Sequence, residues 1–264
     1  MVQKVSILDF NFLGIPVASK NYYQRLKVLI EEITKINPDI LCFQEMWFGF
    51  TRNYLQKKLK PLGFNFFFHP VSRFRSNGLL TFSKKEILET KFFGFKPLFR
   101  GFDFSFFELM GAKGCSLMKI KLADKKEFFL FNVHLSVDWK RNSDFSLFKL
   151  KEIEVLSAAI NQLGKEKIIV VGDFNFDFQT KLYQKLMAMA DLRDALTQKG
   201  APLTTVLPNL YHFNVPKWGK EIDFVFVKNL PEDSVLNYQV LWDKPFKDVG
   251  YLSDHAGVLA QLKI

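Results

Sequence analysis

The chain has 264 residues, 48% of them hydrophobic, with a mean hydropathy of +0.00. This composition excludes an intrinsically disordered chain, and no apolar run reaches the ~20 residues that a membrane span needs. The formal charge of +10 comes mostly from Lys, and Phe is abundant at 31 residues. A polyanionic partner, an anionic membrane surface and an A- and T-rich genome each account for that bias, so charge alone selects none of them.

In chain order, "KVSIL" reads as a strand. Between Ser19 and Asn37, Tyr22, Leu26, Leu29, Ile30, Ile33 and Ile36 fall at helical spacing and Pro38 follows. "DILCF" is then a buried strand, "RNYLQKKLK" a short helix, and "FNFFF" and "GLLTFS" strands. "ILETKFF" is the neighbour of a hairpin formed by "GCSLMKIKL" and "EFFLFNVHL", which turns at 124–126. A helix spans about Ser146 to Leu163, with Leu147, Leu150, Ile153, Leu156 and Ile160 on one face and Gly164 as its stop. After "KIIVV" come a helix near 178–190 and the strands "IDFVFV", "LNYQVLW" and "GVLAQLKI". No linker, repeat or low-complexity tract divides the chain, so residues 1–264 read as one domain. Hairpins mixed with strand–helix alternation imply two sheets packed face to face with helices outside.

Cys42 and Cys115 both sit inside strand-like runs, where a free thiol behaves as a small hydrophobe. The N-terminus has no basic region leading into its short apolar stretch, and Asp9 and Asn11 interrupt it. The location expected on these grounds is the cytoplasm.

Strand ends carry the chemistry. "VVGDFNFD" ends a buried strand in Asp173 and Asn175, which taken alone are ordinary turn residues. The same happens elsewhere. "DILCFQE" ends in Gln44 and Glu45, "FFLFNVH" in Asn132 and His134, and the first strand in Asn11. "EIDFVFV" begins with Glu221 and Asp223, and the last strand is preceded by Ser253, Asp254 and His255. In a layered α/β fold such ends converge on one rim. There is no Gly-rich phosphate loop, H-E-x-x-H, C-x-x-C or G-x-S-x-G motif to compete.

"FQE", "NVHL", "GDFN", "IDFVFV" and "SDH", in this order, resemble the endonuclease/exonuclease/phosphatase superfamily, from Asn11 to His255. "NFLGIP", "QEMW", "NYLQKKL", "SNGLLTFSK" and "AKG" at 112–114 are similar to its neutral sphingomyelinase branch. The resemblance implies a four-layer α-β-β-α sandwich of the deoxyribonuclease I type and a metal-dependent phosphodiester hydrolase. It implies that Glu45, with Asn11 beside it, binds Mg²⁺ (or Mn²⁺), whose hard oxygen preference suits them. Asp173 and Asn175 hold the attacking water and a phosphate oxygen. His255 is the general base, polarised by Asp223, with Asp254 beside it; Asp173 is the alternative proton acceptor. His134 donates to the phosphate or to the leaving oxygen. Glu108, where that branch usually has Asp, is the matching residue to orient His134; a solvated loop acid is its other reading. His69 and His212 match no position.

Two segments bear on substrate: the Phe-dense 92–109 and "WDKPFK" at 242–247. Trp242 and Phe246, with Lys244 and Lys247, suit a bilayer interface or a base-stacking surface, or else fold over the core. The expectations are a monomer acting on a phospholipid, with peripheral membrane contact and no transmembrane segment. A nuclease is the alternative substrate reading, and a non-catalytic binding domain that kept the fold is the alternative of another class.

Overall fold

The computed structural model describes residues 3–16, 19–71, 77–95, 113–123, 126–137, 147–196, 203–206, 210 and 220–264. Twelve strands form two six-stranded sheets within these residues. The first half of the chain runs β1 (Lys4–Asn11), α1 (Tyr22–Ile36), β2 (Ile40–Gln44), α2 (Gly49–Leu59), β3 (Phe66–Phe68), β4 (Leu80–Ser83) and β5 (Ile87–Gly94). It continues with β6 (Gly114–Lys121), β7 (Glu127–His134), α3 (Leu147–Asn161) and β8 (Ile168–Asp173). Last come α4 (Lys181–Ala190), β9 (Arg193–Asp194), β10 (Asp223–Lys228), β11 (Val235–Leu241) and β12 (Gly257–Lys263).

One sheet has the order β11-β12-β1-β2-β4-β3 and the other β5-β6-β7-β8-β10-β9. Each holds one parallel pair, β1–β2 and β7–β8, joined across a helix as parallel strands require. The remaining pairs are antiparallel. The expected strands and helices form among the described residues, with residues 124–125 of the expected hairpin turn outside them; β9, too short to carry a pattern, and two short 3-10 turns at Lys60–Leu62 and Glu232–Ser234 are additions. Asn37 stops α1 in the left-handed conformation (φ 53°), its N–H bonding Ile33 O at 2.8 Å, and Pro38 prevents continuation. Thr180 caps α4, its hydroxyl accepting from Tyr183 N at 3.3 Å.

Three apolar layers separate four layers of structure, so the α-β-β-α sandwich is realised. Leu8, Phe10, Leu41 and Phe43 pack with Leu26, Leu29 and Leu55 of α1 and α2. Phe131, Val133, Val170, Phe224 and Phe226 pack with Ile153, Leu156 and Leu186 of α3 and α4. Between the sheets lie Val5, Ile7, Ile40, Cys42, Phe128, Leu130, Ile169, Val171, Val225 and Val227.

Strand periodicity then dictates what comes next. Side chains alternate faces with a period of two. Continuing the inter-sheet set along each strand gives Asp9 and Asn11, Gln44, Asn132 and His134, and Asp173. At the start of antiparallel β10 it gives Asp223. The layer between the sheets is therefore apolar at one end and polar at the other.

Candidate active site

The polar end of that layer is a buried network. Gln44 Nε2 donates to Asp9 Oδ1 and to Asn132 Oδ1, both at 2.8 Å, tying the two sheets together. Asn132 Nδ2 in turn donates to Thr81 Oγ1 and Phe43 O, each at 3.2 Å. Burial, reinforced by Asp223, holds the Asp9 carboxyl well above its ordinary range.

Above it stand the residues expected to act. His134 and Asp173 are register partners in the parallel β7–β8 pair. Gly172 makes that closeness possible: its φ is 143°, and a Cβ there would meet Val133 O at 2.0 Å, so any other residue would push the strands apart. Asn11 Nδ2 donates to Asp173 Oδ2 at 2.9 Å and lies 3.4 Å from Glu45 Oε1. Glu45 has φ 60°, and its carbonyl approaches Gly14 so closely that a Cβ on Gly14 would lie 2.0 Å from it. Asn175, also left-handed at φ 53°, donates from Nδ2 to Leu135 O at 2.9 Å, and its N–H bonds Asp173 Oδ1 at 2.9 Å. Non-glycine residues in this conformation concentrate at functional sites, where surrounding structure overdetermines them.

His255 enters from the other sheet. Its Nδ1 lies 2.9 Å and 3.1 Å from the two carboxylate oxygens of Asp223, and its Nε2 is 3.8 Å from Asp173 Oδ2. Burial opposes charging this ring, but Asp223 and Asp173 outweigh it and hold the His255 pKa well above its ordinary value, with Asp254 adding to the effect. Asp173 shows the converse. Burial would raise it, yet the charges of His255, His134 and Lys113 leave it far below the usual carboxylate range. Asp223 is raised, chiefly by burial. His134 Nε2 faces Asp173 Oδ2 at 3.4 Å and bonds Lys113 Nζ. Its buried Nδ1 has no partner among the described residues. Asp254 is half-buried beside His255 and accepts from Ser253 Oγ at 3.2 Å. Asp173, Asp223 and His255 also offer ligand atoms within 4.8 Å of one another, although the Asp223–His255 hydrogen bond already engages two of them.

Residues the sequence did not single out hold this constellation. Thr204 Oγ1 accepts from the N–H groups of Ile222 (3.0 Å) and Asp223 (3.1 Å), while Thr204 O accepts from Ala256 N, fixing Asp223 and His255 from one point. On α3, Lys149 donates to the carbonyl of Asn175, and Glu152 accepts from Ser136 N (3.0 Å) and Ser136 Oγ (2.6 Å). One helix face thus braces the loops after both His134 and Asp173. Arg25 is fully buried and donates to the carbonyls of Phe12, Leu13 and Leu252, joining the loop after β1 to the one carrying His255.

The aromatic expectation at 242–247 is corrected. Trp242 is 8% exposed, turned inward at φ 63° and packed edge-on to Phe10 with ring centroids 4.8 Å apart. Its ring lies where Gly257 has no side chain: a Cβ there would come within 2.8 Å. Phe246 is half-buried against the same layer. The cause is apolar area, since a Trp beside a glycine-lined core recess gains more inside than at a surface. Glu108 and His212 lie outside the described residues. His69 bonds Leu79 O through Nδ1 at 2.8 Å, a structural role.

The fold and this rim of acids and histidines define a class, the phosphoester hydrolases built on two packed sheets. Residues 10–255 match the model of the Endonuclease/Exonuclease/phosphatase family, and the chain belongs to that family. It is 28% identical over 179 residues to the inositol phosphosphingolipids phospholipase C of Schizosaccharomyces pombe, covering 65% of this chain but only 41% of that relative. The structure of D. rerio TDP2 in complex with a single-strand DNA product superposes with a TM-score of 0.77 at 17% identity, covering 99% of this chain and 100% of that one. Sphingomyelinase C from Streptomyces griseocarneus does so with a TM-score of 0.68 at 15% identity, covering 98% and 99%. Among the described residues no helix is long and apolar enough to cross a membrane.

Proposed function

We propose that the protein is a divalent-metal-dependent phosphodiesterase that cleaves the headgroup phosphodiester of a sphingolipid-type phospholipid. The observation that carries this reading is the meeting of Asp173 with His134 on one side and the Asp223–His255 pair on the other, in one buried slot. The phospholipase C likeness supports lipid as substrate.

The oxygen donors at the slot mouth fit a hard cation. Glu45 keeps 19% of its side chain exposed and pairs with no Lys or Arg among the described residues. Asn11 and Asp173 lie beside it. Glu45 and Asn11 are the residues that would hold Mg²⁺ or Mn²⁺, and such an ion supplies Lewis-acid polarisation of a phosphate oxygen. The chain's own groups do the rest. Asp173, kept ionised, and Asn175 orient the attacking water on the phosphorus. The water's proton passes to the Asp173–His255 pair, with Asp223 fixing the ring through Nδ1. Lys113 and His134 face the phosphate and offset the negative charge that builds on its oxygens; His134 is placed to protonate the departing alkoxide.

Hydrolysis of bis-nitrophenyl phosphate and of sphingomyelin, each with Mg²⁺ and with excess chelator, tests the proposal. Both activities should vanish with chelator, and Glu45→Gln should require far more metal while folding normally. Undiminished activity in chelator rejects the metal assignment. Rapid cutting of DNA with no turnover of any phospholipid replaces the lipid reading with the nuclease one.

A further inference from the structure

Four large aromatics stand outside the core beside the slot. Phe48, Phe50 and Tyr54 are 37%, 49% and 38% exposed, and Tyr23 is 66% exposed. Phe50 and Tyr54 are one helical turn apart on α2, flanking the buried stripe of Thr51, Leu55 and Leu59. The rings touch in series: Phe48 to Phe50 at 5.5 Å, Phe50 to Tyr22 at 6.4 Å, and Tyr22 to Tyr23 at 5.3 Å between centroids. Tyr22, the link to Tyr23, is itself buried, so the exposed rings are Phe48, Phe50 and Tyr54 at α2, with Tyr23 behind Tyr22; exposed aromatics clustered in this way mark an interaction surface.

The sequence through and after α2 is basic. From Met46 to Lys85 the chain has no Asp or Glu and carries eight Lys and Arg, most of the net +10. Lys57 and Lys58 are exposed on α2 itself, and Lys58 Nζ lies 5.8 Å from the Tyr54 ring centroid. The patch is also tied to the slot. Phe48 follows Glu45 by three residues, and Arg52 clamps the segment between them by donating to Met46 O at 3.0 Å and Trp47 O at 2.7 Å. The Trp47 ring lies 6.3 Å from that of His134.

We infer that the α2 face, with the N-terminus of α1, is the surface on which the protein sits on an anionic lipid bilayer, Phe48, Phe50, Tyr54 and Tyr23 entering the interface and Lys57 and Lys58 lying among lipid phosphates. This rests on the phospholipid reading and specifies how the enzyme meets its substrate. Apolar rings flanked by cations suit the boundary between headgroups and acyl chains. Nucleic acid fits less well, because base stacking uses open aromatic faces set along a groove, whereas these rings pack on one another.

Vesicle co-sedimentation with phosphatidylcholine, with and without phosphatidylserine, is the test. Wild type should bind the phosphatidylserine vesicles more tightly and release them in high salt. Phe50→Gln/Tyr54→Gln should lose binding at least tenfold on both vesicles. Lys57→Gln/Lys58→Gln, exposed positions that leave the fold intact, should lose about 25-fold on the anionic vesicles alone. Wild-type vesicle binding by the folded aromatic variant overturns the inference. So does a variant defect that appears only in DNA retention or in self-association. Both variants should hydrolyse a soluble diester at the wild-type rate. Docking without lipid turnover would defeat the substrate reading and leave the docking face standing.

Discussion

The two histidines of the slot are the same side chain in opposite surroundings. His255 arrives from a loop of one sheet and is met by carboxylates of the other, Asp223 at 2.9 Å and Asp173 at 3.8 Å. His134 lies within β7, bonded to Lys113 on the nitrogen that also faces Asp173, and its other nitrogen has no partner among the described residues. The first arrangement orients a ring made more basic by its carboxylates beside Asp173. The second sets a lysine ammonium against the ring. A substrate phosphate, bringing negative charge, would be drawn to the second half, where Lys113 stands, and not to the first, where two carboxylates do. On the proposed function, the contrast would divide the reaction between a half that manages the water and a half that manages the phosphate.

The largest effects should come from removing either ring. His255→Ala and His134→Ala should each lower turnover by about 10²- to 10⁴-fold, the range for a lost proton-transfer group. They should differ in how they combine. Asp223→Asn acts through His255, so the double variant with His255→Ala should be scarcely worse than His255→Ala alone, whereas Asp223→Asn with His134→Ala should approach the product of the single losses. Turnover of the five variants, three single and two double, with circular dichroism to confirm folding, decides it. Multiplicative losses in both pairs would erase the division.

A smaller effect should come from the helix that braces the loops. Lys149→Met removes the ammonium held against the Asn175 carbonyl while keeping the side-chain volume. We expect kcat to fall about 10- to 100-fold with KM little changed, as misplacement of a reacting group does. Lys149→Arg should restore part of the loss. A lowered thermal midpoint with unchanged kcat would show that Lys149 serves only the fold.

The fold was legible because strand and helix periods are written in apolar residues, which decide the layers. The rim was legible for the same reason: parity along β1, β2, β7 and β8 carries Asn11, Gln44, His134 and Asp173 into the inter-sheet space. What sequence missed is polar and indirect. Arg25 sits on the amphipathic helix α1 and reads as a solvated position, yet it is buried because three loop carbonyls need donors. Lys149 and Glu152 look like surface positions of α3 for the same reason. Thr204 lies in a stretch without periodicity. Of the three readings open for Trp242, the inward one holds; sequence does not select it because Gly257 is fifteen residues away, and nothing local announces a recess that only pairing of β11 with β12 creates.

The smallest predicted effect separates a partnered carboxyl from an unpartnered one. Glu221 and Asp223 lie two residues apart where β10 begins, and both are buried. Asp223 is answered by His255, while Glu221 Oε2 has no partner among the described residues. Burial, then the charges of Asp194, Asp177 and Asp223, push the Glu221 pKa from 4.5 up to about 8. The folded chain therefore keeps a proton on Glu221 between those values, while the unfolded chain releases it. A raised acid pKa costs stability as pH rises from about 4.5, and the cost levels off above about 8. Glu221→Gln, neutral at every pH, escapes that cost. The variant should match wild type in thermal midpoint near pH 4.5 and exceed it by a few °C at pH 8.5, with turnover unchanged. Equal midpoints across the range would mean that Glu221 is charged in the folded protein and that its neighbours tolerate it. A fall in turnover would instead place Glu221 in the work of the Asp223–His255 pair, extending the water-managing half along β10.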